Sequence, residues 1–137
     1  MAAGSYTTST AFLEALAYHV NFPADHELHA GFQFHTVAPN PVLAEADVIL
    51  AIDSDVPWIP AVNRPSAGAA IYCVDVDPLK SQMSLWHVPA RRFAQASARL
   101  AVEQITRYVR ENDLADPRVV EVRRAAASTC ARTGPAP

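Results

Sequence analysis

The stretch LAEADVILAIDSDVPWIPAVNRPSAGAAIYCVDVDPL, residues Leu43–Leu79, decides the fold class. It contains two apolar runs, Val48–Ile52 and Ala69–Val74, in which apolar residues follow one another without polar interruption. Unbroken runs of this length are typical of strands that are buried on both faces, as in a parallel sheet covered by helices. The sequence therefore predicts an α/β fold with strands at Asp47–Ile52 and Ala69–Val76.

An acidic pair follows each run, namely Asp53 with Asp55 and Asp75 with Asp77. If strand geometry continues, both carboxylates of a pair point to the same side. Open α/β sheets bind ligands at the carboxyl ends of their strands, where an acid can hold a ribose hydroxyl. Asp75, Asp77 and Asp53 are therefore the candidate cofactor-binding residues. Acids for hydrolysis, Mg²⁺ ligands, and plain acceptors for loop amides remain the alternatives.

Motifs that cradle phosphate or present a nucleophile are absent from the sequence. There is no GxGxxG, no GxxxxGK[ST] and no GxSxG. A bound dinucleotide would need contacts from elsewhere for its pyrophosphate, and no catalytic residue is assigned.

Three histidines, His26, His29 and His35, lie close together in the sequence beside Asp25, which raises the question of a metal site. Zinc sites usually need four ligands at characteristic spacings, and neither HExxH nor CxxC occurs. Loop imidazoles that bond to backbone groups are the simpler interpretation, so no metal ligand is assigned.

Composition limits the class of protein. The 137 residues suffice for one core, and a net charge of -3 gives no basic face for nucleic acid. No apolar run approaches the roughly 20 residues that span a membrane. Cys73 lies in an apolar run and Cys130 in a polar tail, which does not suggest a disulfide framework. We expect a reducing compartment, the cytoplasm.

The segments before the first strand are less clear. Good helix formers favour a helix over Ala11–Tyr18, and a short strand at Phe12–Ala15 is the competing interpretation. Three prolines in Asn21–Pro41 predict a loop with little regular structure.

Helices are predicted around the two strands. Asn40 and Pro41 are typical of the start of a short helix, and apolar spacings of three and four predict a long one at Phe93–Arg110. The remaining expectations are one helical turn near Ile59–Asn63, Trp58 and Trp86 as core or interface anchors, and a last short helix at Arg118–Arg123.

Several of these stretches together resemble one family. LAEADVILAIDSDVPWIP and AIYCVDVDPLK resemble the central domain of thiamine diphosphate-dependent enzymes in the acetolactate synthase-like large-subunit group. NFPADHELHAGF resembles the loop "NFP..HP...G" of that family, with Glu27 in place of the usual proline. Trp86–Val109 resembles the closing segment and last helix of the domain. The resemblance covers roughly residues 12–110.

The resemblance implies an α/β, Rossmann-like parallel sheet of the DHS-like NAD/FAD-binding type with flanking helices, truncated at its N-terminus. It also implies a strand rather than a helix at Phe12–Ala15. The expected organisation is a flexible leader at 1–10, a partial central domain at 11–112, and a short helix with a disordered tail at 113–137.

The function that the resemblance implies depends on other domains. In the family, a pyrimidine-binding domain supplies a glutamate, and a GDG…N motif in a third domain holds Mg²⁺ and the diphosphate of thiamine diphosphate. No GDG occurs here. We therefore expect a non-catalytic central-domain fragment of a 2-oxo acid carboligase or decarboxylase, with a structural role and FAD or ADP as ligands that the strand ends could hold. The alternatives are a stand-alone FAD- or ADP-binding module and an oligomerisation domain.

The expected partners follow from the same resemblance. They are the other domains or subunits of a thiamine diphosphate enzyme, within a full enzyme that forms a homo-oligomer. Neither nucleic acid nor a membrane is expected as a partner.

Overall fold

The computed structural model describes residues 11–15, 21–32, 40–83, 88–122 and 124–125. Five strands and two helices follow one another along the chain: β1 (Phe12–Glu14), β2 (His29–Phe32), α1 (Pro41–Glu45), β3 (Val48–Ile52), β4 (Ala70–Asp75), β5 (Arg92–Gln95) and α2 (Ala98–Glu111). Residues 117–122 are also helical. The strands form two small parallel sheets, one of β1 and β2 and one in the order β3-β4-β5. The described residues therefore have mixed α/β content with parallel strands, which is compatible with the predicted α/β class.

The three-stranded sheet has a regular register, with Leu50 opposite Tyr72 and Tyr72 opposite Arg92. Side chains in such a row point to the same face of the sheet, and the next residue on each strand points to the other face. The two faces differ in burial. Ile71 and Cys73 of β4 are 6% and 2% exposed on one face, whereas Tyr72 between them is 36% exposed on the other.

The buried face carries the core of the chain. Ile71 packs there with residues from α1 and two connections, and together they form a cluster of Leu43, Trp58, Ile71 and Val88. Asn40 holds α1 in place, because its side chain accepts hydrogen bonds from the backbone N–H groups of Val42 and Leu43. This confirms the predicted start of the short helix.

The opposite face is open, which corrects the expectation of strands buried on both sides. Val48 is 58% exposed, Leu50 44% and Tyr72 36%, and we call these three residues the open face. Val74 lies farther along β4 on the same side and is buried at 7% exposure. Since α2 lies against β4, the sheet is covered over only part of its length. Unbroken apolar runs therefore did not distinguish a covered face from an uncovered one.

The N-terminal segment corrects two further expectations. Phe12–Glu14 is a strand, so the competing interpretation of a short strand is confirmed there and the helix that local propensity favoured is wrong. Residues 16–18 lie outside the described ones. The partner of this strand, β2, lies inside the stretch that was predicted as loop. The Phe12 N–H donates to the Leu28 carbonyl at 2.8 Å. Pairing with a distant segment outweighs helix propensities, which differ by less than about 1 kcal/mol per ordinary residue.

The long helix begins later than predicted. Residues 92–95 form β5, with Gln95 opposite Asp75, and α2 starts only at Ala98 after Ser97. Apolar spacing could not reveal this, because Phe93 and Ala94 fit the helical stripe equally well. The turn at Ile59–Asn63 is confirmed by hydrogen bonds from Val62 and Asn63 to the Ile59 carbonyl.

Other expectations fall on positions that the structure leaves undescribed. These are the leader at 1–10, the cysteine at 130, the end of the tail, and Trp86. Trp58, in contrast, is a core residue at 3% exposure, as its position predicted.

Truncation of Trp58 tests the core. We expect Trp58→Ala to lower the free energy of unfolding by about 3–5 kcal/mol, because it removes the largest side chain of the cluster and leaves a cavity. Ile59→Ala is the matched control, since its side chain is 43% exposed, and we expect a loss below about 1 kcal/mol. Urea unfolding followed by circular dichroism measures both. Equal losses would contradict the placement of Trp58 in the core.

Candidate functional site

A lysine joins the carboxyl ends of β3 and β4. The Lys80 Nζ atom lies 2.8 Å from Asp75 Oδ2 and 2.7 Å from Asp55 Oδ1. The Lys80 side chain is 11% exposed and that of Asp75 is 2% exposed, while the side chain of Asp55 is 72% exposed. The candidate site is therefore an ammonium group held between one buried and one exposed carboxylate.

Asp75 uses both of its carboxylate oxygens. Oδ2 accepts from Lys80, and Oδ1 accepts from the Asp77 N–H at 2.8 Å. Burial alone would raise the pKa of Asp75, but the hydrogen bonds from Lys80 and from the backbone of Asp77 outweigh it and hold the pKa below its usual value. The side chain is therefore ionised and its acceptors are engaged.

Lys80 is strongly held in its charged form. Burial would lower the pKa of Lys80, but its hydrogen bonds to Asp55 and Asp75 raise it to about 12. The ammonium is therefore no nucleophile at neutral pH, because an amine must lose its proton before it can attack. Its role is to hold together the two segments that follow the strands.

The two acidic pairs are not equivalent. Asp53 has a φ of 50°, in the left-handed region, so strand geometry does not continue through the first pair. Its N–H donates to the Val74 carbonyl at 2.9 Å. Lys80 has a φ of 48°, which places a second non-glycine residue of the site in the same region. The expectation that the carboxylates of Asp53 and Asp55 point to the same side assumed a continuing strand, and the backbone at Asp53 does not meet this condition.

The three carboxylates predicted to bind a ribose differ in how accessible their oxygens are. Asp53 and Asp77 are exposed at this edge, whereas a hydroxyl that approached Asp75 would have to share the bonds from Lys80 and Asp77. The segments that follow β3 and β4 carry four carboxylates and one ammonium, which contacts two of them, so the edge is negative and disfavours a diphosphate. Hydrogen-bond donors such as hydroxyls suit it better than anions.

The only described cysteine lies next to this site but takes no part in it. Cys73 is 2% exposed, and burial and the nearby Asp75 carboxylate raise the pKa of its thiol. A buried thiol with a raised pKa is a weak nucleophile.

A second buried polar pair connects β1 to β2. Glu14 Oε2 lies 3.2 Å from His29 Nε2, and Glu14 Oε1 accepts from the Asn21 N–H at 2.8 Å. The Phe22 ring stacks on Phe12 with centroids 4.0 Å apart and lies 6.3 Å from the His29 ring. The Glu–His pair and the rings that contact His29 form one cluster, and this cluster stabilises the small sheet.

The histidine motif is only partly described. His26 Nδ1 accepts from the Leu28 N–H at 3.1 Å, and His29 contacts Glu14. His35 lies outside the described residues. Within the described ranges, no group of three or more histidines, cysteines or carboxylates is placed to hold a metal ion.

Sequence reasoning missed Lys80 and Glu14 as site residues. Lys80 lies five positions after Asp75, just beyond the turn at Asp77-Pro78, so the turn itself was a signal that the lysine could fold back. Glu14 is a lone acid in an apolar stretch, and such an acid needs a partner when it is buried. Neither signal identifies the partner.

Comparisons with models of protein families, with curated proteins and with solved structures find no match for this chain. Among the described helices, none has the length and apolar character needed to cross a membrane.

Removal of the lysine tests the site. We expect Lys80→Met to lower the free energy of unfolding by about 3 kcal/mol, because it leaves the buried Asp75 carboxylate unpaired. The double variant Asp75→Asn/Lys80→Met should recover part of this loss, since it leaves no buried charge. Asp77→Asn is the control and should change stability by less than about 0.5 kcal/mol, because its side chain is exposed. A double variant less stable than Lys80→Met would contradict the pairing.

The same pair predicts a pH window for stability. The lowered pKa of Asp75 contributes stability that is present above its ordinary value of 3.8 and is lost as the pH falls through the folded-state pKa. The raised pKa of Lys80 contributes stability that is complete below 10.5 and is lost as the pH rises through about 12. The stability difference between wild type and Lys80→Met should therefore be largest at neutral pH and shrink at about pH 2. Urea unfolding at the two pH values measures it, and a constant difference would contradict the assignment.

Proposed function

We propose that the chain serves as a non-catalytic central-domain part of a thiamine diphosphate-dependent 2-oxo acid carboligase or decarboxylase, of the acetolactate synthase-like kind. In this role it holds catalytic domains together, and those domains bind thiamine diphosphate and Mg²⁺. Thiamine diphosphate, when bound there, supplies the carbanion chemistry of the reaction. The motifs in Leu43–Leu79 support the family, and the open face supports the structural role.

The open face is the single observation that carries the structural role. A parallel sheet is usually covered on both faces, because its crossover helices pack on both sides. Here Val48, Leu50 and Tyr72 form an adjacent apolar group on one face, since Leu50 and Tyr72 are opposite each other and Val48 precedes Leu50 by one full strand repeat. An exposed apolar group of this kind favours association with another protein surface.

The described residues offer little to the family's cofactors directly. No described group of side chains is placed to hold Mg²⁺, and the strand-end edge is negative where a diphosphate would lie. The edge retains exposed carboxylates at Asp53 and Asp77 that could accept hydrogen bonds from a ribose. We therefore rank nucleotide binding below the structural role and place no reaction step on this chain.

Defined partners test the proposal. The chain is co-expressed with the pyrimidine-binding and pyrophosphate-binding domains of a thiamine diphosphate carboligase encoded in the same genome. We expect a stable complex that decarboxylates a 2-oxo acid, with no turnover by the chain alone. Leu50→Lys should weaken the complex at least about tenfold, because it places a charge in an apolar contact. Size-exclusion chromatography with light scattering and a decarboxylation assay provide the measurements.

A matched control separates the open face from exposed apolar surface in general. Val62→Lys changes a residue with 43% exposure, close to the 44% of Leu50, but outside the sheet, and it should leave the complex intact. Failure of every such domain pair to bind, or equal effects of the two lysine variants, would reject the structural role of the open face.

A further inference from the structure

Helix α2 buries only part of its apolar stripe. Val102 is 3% exposed, whereas Ile105 is 39% and Tyr108 is 61% exposed. Ile105 and Tyr108 are three residues apart, so they lie next to each other on the helix surface. Together with Gln104, Arg107 and Glu111, they also line a concave pocket with a volume of about 410 Å³.

The charges beside this surface differ from those about two turns earlier. Arg99 and Glu103 are four residues apart and form an ion pair at 2.8 Å within the helix. Arg107 and Glu111 have the same spacing, but neither forms an ion pair with another described residue. A base and an acid therefore follow each other along one flank of the stripe, and both residues are exposed.

We propose that α2 is the docking surface for a second copy of this chain, with the two α2 helices antiparallel about a two-fold axis. If the axis lies level with Val109, Arg107 of each chain faces Glu111 of the other, because the two positions are equally far from that level. Tyr108 then lies near the Tyr108 ring of the second copy, and Ile105 lies near its Leu114, which is 58% exposed. The apolar stripes cover each other, and two equivalent ion pairs form at one flank.

The charge pattern favours a second copy over an unrelated helix. A two-fold interface brings the same patch of both chains together, so the patch must be complementary to itself. Arg107 and Glu111 meet this requirement, because they lie two residues before and two residues after Val109. Opposite charges at an interface fix orientation and register more than they add affinity.

The size of the helix predicts weak association. A helix of 14 residues is about 21 Å long, which gives a smaller contact than the roughly 1,000 Å² expected of a stable complex. We therefore expect a dissociation constant between about 10 µM and 1 mM. This inference extends the assembly role proposed above, but it uses a different surface, and the open face can fail its test without affecting this one.

Charge reversal tests the register. Sedimentation velocity over a concentration series should show a reversible monomer–dimer equilibrium for the wild type, weaker at high salt. Arg107→Glu and Glu111→Arg should each weaken the dimer about five- to tenfold, because like charges then face each other twice. An equimolar mixture of the two single variants should dimerise as well as the wild type, since each chain now complements the other.

The Arg99–Glu103 pair provides the control, and Tyr108 tests the apolar part of the contact. Reversal of both charges in Arg99→Glu/Glu103→Arg should leave the dissociation constant unchanged, because that pair lies within its own chain. Tyr108→Ala should weaken the dimer, and far-ultraviolet circular dichroism verifies that α2 remains folded in each variant. A wild type that stays monomeric to about 1 mM, single variants that dimerise normally, or a mixture that does not recover would each overturn the proposal.

Discussion

The described fold depends on β4, which is hydrogen-bonded to β3 on one side and to β5 on the other. Its alternation sends Ile71 and Cys73 into the core and leaves Tyr72 on the open face. The same alternation brings Asp75 to the core side at the carboxyl end of the strand, where its buried charge needs a partner. Lys80 is that partner, so the geometry of the strand-end site follows from the register of one strand.

The Lys80 ammonium gives the carboxyl edge a structural rather than a reactive character. It binds a buried carboxylate and an exposed one, and this holds the segment after β3 to the segment after β4. A removed or neutralised lysine would leave Asp75 as an unpaired charge at 2% side-chain exposure. The edge therefore resembles a closed ion-pair network more than an open binding site, although its acids at Asp53 and Asp77 are exposed.

Apolar side chains are exposed on one face of the sheet and along one side of α2, where neighbouring elements usually cover such side chains. The open face of the sheet and the half-buried stripe of α2 are separate examples, on different elements. Both are explained if the chain functions inside a larger assembly, because apolar surface that is costly in water becomes favourable in a contact. In our proposals, the open face of the sheet contacts another domain and the charged flank of α2 contacts a second copy of the chain.

By itself, the sequence determined the α/β class, the parallel strands β3 and β4, the cap of α1 and the burial of Trp58, because each depends on a local pattern of apolar, capping or turn residues. Only the tertiary structure decided between helix and strand at Phe12–Glu14 and showed that Arg92–Gln95 is a strand, since strand pairing with distant residues outweighs weak local propensity. It alone also showed which face is covered and that Lys80 neutralises Asp75. Coverage and ion pairing depend on what lies beside a residue in space, and neighbours in sequence do not reveal it.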